Sequence, residues 1–315
     1  MLICHQYDER LAASVRERLP AEVEFVALGN TPKTAWAVPD LAEVLLINQD
    51  SAVIGLHKDM PCPSGWPFKL KWVHLRSTGI DKYPPWIFDV PKVTVTRGGY
   101  AVPISEYVLA AMLTFAKSIP AIWAGDRTGW RNHRLADLSG QQLGIVGFGE
   151  IGKEVARRAL AFDMKVGGMR RSPVPLGFAG VSAMTLEELL QTSNHLVLCA
   201  PLTEDTRGLI DSKAMGMMKP GAHIINVGRG ALIDTEALKG ALDISLGGAT
   251  LDVTDPEPLP PGHWLFTHPK VRISPHISGS SPQTRQRATA FFTENLARYR
   301  NGLRLKGEVS REFGY

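Results

Sequence analysis

The chain has 315 residues, 44% of them apolar and 21% charged, and carries a formal net charge of +4 at pH 7. That length has room for two domains, each able to bury its own core, and the composition is that of an ordinary soluble α/β protein. The small, scattered charge gives no case for nucleic acid, and no apolar run approaches the roughly 20 residues that span a bilayer.

Cys4, Cys62 and Cys199 lie far apart with no CxxC or His/Cys spacing, so no disulfide framework or metal site is expected. The N-terminus reads as a strand with charges close behind, not as a signal peptide, and a reducing, cytoplasmic setting is expected.

Short apolar runs at Met1–Cys4, Val23–Ala27, Val44–Ile47, Trp72–Leu75 and Val93–Thr96 read as strands, and Ile104–Lys117 as a helix. Pro120–Leu138, with Trp123 and Trp130, lacks periodicity and reads as an arm or loop. Strands follow at Gln141–Val146, Met164–Met169, His195–Ala200, His223–Val227, Gly248–Asp252 and Val271–Ile273. Helices alternate with them at Ile151–Phe162, Leu186–Gln191 and Thr235–Ala241, and an amphipathic helix, Thr284–Asn301, stops at Gly302. Alternating strand and helix implies parallel sheets covered on both faces. The expected fold class is α/β, with two Rossmann-like, doubly wound domains and a cleft between them. The expected division is 1–99 plus 284–315 for a substrate domain and 100–283 for a nucleotide-binding domain. The stretch Thr31–Asp40, containing Trp36, has no assignment.

The strongest single motif is Gly147-Phe148-Gly149-Glu150-Ile151-Gly152, a G-x-G-x-x-G that ends a strand and opens a helix. Gly147 allows the tight turn, Gly149 lets backbone approach a pyrophosphate, and Gly152 lets helix pack on strand. The helix N-terminus then offers N–H groups and a positive dipole end to phosphate. The next strand ends in Arg170-Arg171-Ser172 where an NAD-binding chain carries an acid for the ribose 2′-hydroxyl. Two guanidiniums and a hydroxyl suit a 2′-phosphate, so NADP, as NADPH, is expected over NAD. A solvated basic loop is the plainer alternative.

Three further residues stand at or just after strand ends, where ligands collect in open α/β sheets: Arg229, Glu257 and His276. A cation for a carboxylate, an acid, and an imidazole that the acid can orient make a hydride-transfer site. Singly, each also reads as a surface Arg, a turn Glu between prolines and a capping His.

Together with Cys199-Ala200-Pro201 through Thr206-Arg207-Gly208, Asn226-Val227-Gly228-Arg229-Gly230, Leu251-Asp252-Val253 and Pro275-His276, these motifs closely resemble the D-isomer-specific 2-hydroxyacid dehydrogenase family over nearly the whole chain. Arg170-Arg171-Ser172 and the terminal Gly314-Tyr315 are similar to its glyoxylate/hydroxypyruvate reductase branch. The resemblance implies that Arg229 holds the substrate carboxylate and carbonyl oxygen, and that His276 gives the carbonyl a proton as hydride arrives. Glu257 would favour the charged ring and orient it.

It further implies cofactor contacts from Glu150, Ile151, Ala200, Pro201, Thr206, Val227, Gly228 and Gly279, and a nicotinamide carboxamide contact from Asp252. Thr78 and Gly79 would lie in a substrate loop whose backbone N–H groups bind the carboxylate, with Asp81 nearby as a helix cap. Trp130 would either reach a neighbouring subunit's site from the arm or pack in the core. Ser278-Gly279-Ser280-Ser281 departs from the Ala-Gly-rich stretch common after the family's His, without consequence for the chemistry. With no regulatory domain after Tyr315, the long phosphoglycerate dehydrogenases are disfavoured.

The activity so implied is NADPH-linked reduction of small 2-oxo acids, glyoxylate and hydroxypyruvate first, to D-2-hydroxy acids. A homodimer through Ile104–Lys117 and the arm is implied, with no membrane, nucleic-acid or metal partner. The alternatives are a broader D-2-hydroxyacid dehydrogenase for larger 2-oxo acids with NADH, and a dinucleotide-sensing, corepressor-like binding protein.

Overall fold

Runs of four to six apolar residues are too short for stable helices but long enough for strands buried on both faces. In the computed structural model, which describes residues 1–29, 31, 33–48, 56–171 and 175–309, they build two separate parallel sheets. The chain divides into two units, Met1–Gly99 with Ser281–Tyr315, and Tyr100–Ser280.

In the first unit, β1 (Leu2–His5) leads to α1 (Glu9–Arg16), capped by Asp8, whose side chain accepts from the Leu11 N–H. Then come β2 (Glu24–Ala27), β3 (Ala42–Ile47), β4 (Trp72–Leu75) and β5 (Lys92–Val95), in the spatial order β2-β1-β3-β4-β5. Alternation along β3 sends Leu45 and Ile47 to one apolar layer and Val44 and Leu46 to the other. The unassigned Trp36 is 6% exposed and packs edge-on against Trp66 and Trp86, with centroids 5.8 and 5.0 Å away. It belongs to the core of this unit.

The second unit opens with α2 (Ala101–Ala116), three residues earlier than periodicity predicts, because Pro103 is tolerated in a first turn whose N–H groups lack intrahelical partners. Residues 117–137 contain neither helix nor strand. The sheet then forms from β6 (Gln142–Val146), α3 (Glu150–Leu160), β7 (Lys165–Met169), β8 (Val181–Ala183), α4 (Leu186–Thr192) and β9 (His195–Leu198). It continues with α5 (Ser212–Gly216), β10 (His223–Asn226), α6 (Thr235–Ile244), β11 (Gly248–Leu251) and β12 (Val271–Ile273). The order β12-β11-β10-β9-β6-β7-β8 reverses direction between β6 and β9, the place where dinucleotides bind in such sheets. Neither β8 nor α5 was expected, since three and five residues are too few to show a period.

The chain returns to the first unit in α7 (Pro282–Arg300), capped by Ser281, which accepts from Thr284 N–H, and ended at Gly302 with φ +66°. Phe292 of α7 stacks on Trp72 of β4 at 5.4 Å, which binds the C-terminal helix to the N-terminal sheet. No helix of the described residues is long and apolar enough to cross a membrane.

Candidate active site

The three glycines of the motif differ in what a side chain would meet. At Gly147, φ is +98° and a Cβ would lie 2.5 Å from the Ala200 nitrogen, so the turn after β6 packs directly on the turn after β9. At Gly152 a Cβ would come within 3.0 Å of the Gly147 carbonyl and 3.1 Å of Ile145, so this glycine sets how closely α3 sits on β6. A Cβ at Gly149 would meet nothing within 4 Å, and this residue caps α3 with no side-chain hydrogen bond. Open space beside uncapped helix N–H groups is what a pyrophosphate requires. The Cys199 Sγ donates to Gly147 O at 3.1 Å, and burial pushes its thiol up to about 12, so it braces the loop as a neutral donor.

Beyond the last ladder residues, backbone hydrogen bonds lock successive strand ends together. Cys199 N–H donates to Val146 O (2.9 Å), Val227 to Leu198 (3.1 Å), Asp252 to Asn226 (2.9 Å) and Ser274 to Leu251 (3.0 Å). Arg229, Glu257 and His276 stand on the loops that leave this edge. Asn226, buried at the end of β10, spans its own loop: Oδ1 accepts from Gly228 N–H (3.1 Å) and Nδ2 donates to Arg229 O (2.8 Å). The half-buried Arg229 then donates from Nη1 to Gly228 O at 2.8 Å. A Cβ on Gly230 would fall 2.0 Å from the Thr254 carbonyl carbon, so the arginine loop lies flat against the loop that carries Glu257.

His276 and Glu257 meet at 2.6 Å, Nδ1 to Oε1. An ionised carboxylate only accepts, so Nδ1 is the donor and Nε2 is the nitrogen left for another partner. The side chains are 41% and 26% exposed, enough for a small ligand to reach the ring. His276 has φ +54°, a left-handed conformation costly for a residue with a Cβ, and it is held from both sides. Its own N–H donates to Asp252 O at 2.8 Å, while the Asp252 carboxylate accepts from the next two N–H groups, Ile277 (2.9 Å) and Ser278 (3.1 Å).

The family of D-isomer specific 2-hydroxyacid dehydrogenases, through its NAD binding domain, matches residues 109–278, the stretch that holds these loops. The chain belongs to this family. It is 34% identical over 234 residues to a glyoxylate reductase of Aeropyrum pernix, covering 70% of each chain. It is 36% identical over 218 residues to an (S)-sulfolactate dehydrogenase of Chromohalobacter salexigens, covering 65% of this chain and 69% of that one. A D-isomer specific 2-hydroxyacid dehydrogenase of Xanthobacter autotrophicus Py2, solved with NADPH and MES, superposes over 100% of this chain and 99% of its own with a TM-score of 0.83 at 25% identity.

As a member of an NAD(P)-linked family, the chain carries its remaining expected contacts in distinct surroundings. Arg170 and Arg171 directly follow β7, with Arg170 Nη2 donating to Pro175 O at 2.6 Å, while Ser172 lies outside the described residues, as do Gly314 and Tyr315. Glu150, in the first turn of α3, pairs with Lys153 at 2.9 Å, and Ile151 packs on the α2–α3 core. Thr206 Oγ1 donates to Pro201 O (2.8 Å) and accepts from Thr203 N–H (2.8 Å), closing the loop that begins at the buried Ala200. Val227 and Gly228 are buried beside it.

In the first unit, the Thr78 hydroxyl donates to Thr96 O at 3.0 Å and the Ser77 hydroxyl to Gly79 O at 3.0 Å. The side chains thus brace this loop, and among the described residues the N–H groups of Thr78 and Gly79 have no protein acceptor.

Gly279 directs its missing side chain at the Tyr100 ring, 3.0 Å from a Cβ, which packs the loop on α2. Three readings change. Asp252 is 1% exposed, and its carboxylate is filled by Ser274, Ile277 and Ser278, so it anchors the histidine loop instead of presenting an acceptor to a carboxamide. Trp130 is 85% exposed and is no core residue. Asp81 caps no helix: the next helical turn is the 3-10 segment Pro85–Asp89, capped by Pro84. Asn226, Ser274, Ser278 and Tyr107 hold the site without having been assigned a role from the sequence. Asn226 stands three residues from Arg229, and Ser274 and Ser278 flank His276 two residues away on either side, and that adjacency was the available signal.

Proposed function

We propose that this chain reduces small 2-oxo acids, glyoxylate and hydroxypyruvate first, to D-2-hydroxy acids with NADPH. The observation that carries the reading is the His276–Glu257 pair at 2.6 Å, which leaves Nε2 as the proton donor to a carbonyl oxygen. Arg229 holds the substrate carboxylate through charge-assisted hydrogen bonds and polarises the carbonyl beside it. Its loop is kept in place by Asn226 and by the seat of Gly230 on residues 254–255. Glu257 accepts from Nδ1 and fixes the plane of the ring, so the proton leaves from Nε2 in one direction. In the first unit, the backbone N–H groups of Thr78 and Gly79 are of the kind that bind a carboxylate, so residues 1–99 with the C-terminal helix are read as the substrate unit.

Glu150, Ile151 and Gly152 offer N–H groups of the α3 N-terminus to the pyrophosphate, with Gly149 leaving room. Arg170 and Arg171 bind the 2′-phosphate. Ala200, Pro201, Val227 and Gly228 form the floor beneath the dinucleotide, which when bound supplies the hydride. The NADPH in the Xanthobacter neighbour and the glyoxylate reductases among the relatives support this choice. The sulfolactate dehydrogenase among them keeps larger acidic 2-oxo acids in the assay panel. A homodimer through α2 and residues 117–138 follows the same resemblance, and Trp123 and Trp130, 71% and 85% exposed, suit such a contact.

The test is the loss of reduced-nicotinamide absorbance with glyoxylate, hydroxypyruvate, pyruvate and a larger acidic 2-oxo acid, each against NADPH and NADH. Turnover of glyoxylate or hydroxypyruvate with NADPH is the expected result. Cofactor binding without turnover of any 2-oxo acid would overturn it.

A further inference from the structure

Behind the histidine loop, polar side chains connect it to a helix far away in sequence. Tyr107, on α2, has its hydroxyl 2.7 Å from the Ser274 Oγ. Ser274 in turn donates to Asp252 Oδ1 at 2.6 Å. A serine hydroxyl has one proton, and here it goes to the carboxylate, so the remaining Ser274 lone pair accepts and Tyr107 is the donor. The chain therefore has one direction: phenol to serine to carboxylate. The phenol is pushed up by burial, which keeps it a donor across the working pH range. Asp252 also accepts from both the N–H and the hydroxyl of Ser278 and from the Ile277 N–H. These are the two amides that follow His276, whose φ of +54° depends on that clasp.

We propose that Tyr107 and Ser274 are positioning residues for the proton donor. Through the Ser274 hydroxyl, the phenol sets the orientation of the Asp252 carboxylate, and Asp252 holds the Ile277 and Ser278 amides in the turn that presents His276 to Glu257. The catalytic meaning rests on the activity proposed above, whereas the mechanical claim does not. Every group lies within Tyr100–Ser280, so the relay operates inside one unit. A carboxylate that loses a donor in a buried site turns to find another, and the two amides it clasps move with it. Tyr107 and Ser274 spend their hydroxyls on this chain behind the histidine loop, so the effect belongs to the alignment of His276 and not to ligand affinity.

The experiment compares wild type, Ser274→Ala, Ser274→Thr, Tyr107→Phe and the double variant Tyr107→Phe/Ser274→Ala. It measures kcat and KM for glyoxylate with NADPH, NADPH affinity by fluorescence, and amide exchange of the peptide containing Ile277 and Ser278. Ser274→Ala should lower kcat about tenfold, a loss of the size a sub-ångström misplacement produces, with KM and NADPH affinity within about twofold of wild type. Ser274→Thr should restore kcat, and Tyr107→Phe should cause part of the loss. The double variant should be no worse than Ser274→Ala, because both residues act through one chain. Exchange should quicken at residues 276–278 alone.

Equal kcat in all variants, or a loss confined to KM or NADPH affinity, would overturn the relay. If wild type turns over no 2-oxo acid, the proposed activity fails instead. Exchange then decides the relay by itself, and rates at Ile277 and Ser278 unchanged by Ser274→Ala would sink it.

Discussion

At the scale of single residues, the site separates groups that do chemistry from groups that hold them. His276→Ala should lower turnover by about 10²–10⁴-fold, the usual worth of a general acid, and leave NADPH binding within a factor of a few. Steady-state kinetics beside fluorescence titration checks both halves. Near-normal kcat would remove the proton-donor assignment. Arg170 and Arg171 face a different question, because a basic loop after β7 either reads the 2′-phosphate or is merely solvated. Replacing both by Ala should weaken NADPH by about 1.5–3 kcal/mol for each lost charge-assisted bond and leave NADH nearly unchanged. Equal weakening of both cofactors would make them ordinary surface charges.

Elements meet at this site through glycines, and the structure distinguishes their jobs in a way a motif cannot. Gly149→Ala should unfold at the wild-type temperature, since φ is −98° and its Cβ meets open space, yet it should bind NADPH more weakly. Gly147→Ala combines a φ of +98° with a Cβ on the Ala200 backbone, so it should cost more than about 1 kcal/mol and lower the thermal midpoint. If the two variants behaved alike, the phosphate-loop reading of Gly149 would fail. Gly230→Ala should likewise prise the Arg229 loop from residues 254–255, lowering kcat and stability together.

For the whole molecule, buried histidines far from the chemistry set the acid limit. His74 is fully buried between Thr94 and Thr96, and burial pushes it down to about 3. His195 and His223 face each other at 3.2 Å, Nδ1 to Nδ1, with Phe115 of α2 stacked 4.3 Å from the His223 ring. Burial lowers His195 to about 4 and His223 well below the ordinary value. Unfolded histidines take up protons near pH 6.5 while these do not, so the unfolded chain binds more protons in between and stability falls as pH falls. The expected slope is about 1.4 kcal/mol per pH unit for each histidine from pH 6.5 toward 4. Denaturant titrations at pH 7, 6 and 5 would show it, and His195→Gln/His223→Gln should remove the share of these two and leave that of His74.

The glycine loop, the parallel strands and the order of Arg229, Glu257 and His276 are written in short local stretches, because strand burial and tight turns depend on adjacent residues. The short elements β8 and α5 are not, because three to five residues show no period and take their form from what packs on them. Nor could Asp252 be read correctly. Its neighbours in sequence suggest an acceptor at a strand end, but its partners lie 22 to 26 residues away and Tyr107 lies 167 residues from Ser274. The sequence by itself determined the fold class, the cofactor loop and which residue types gather at the sheet edge. Only the tertiary structure decided which side chains face the ligand and which hold the others, because that depends on lone pairs and donors brought together from distant elements.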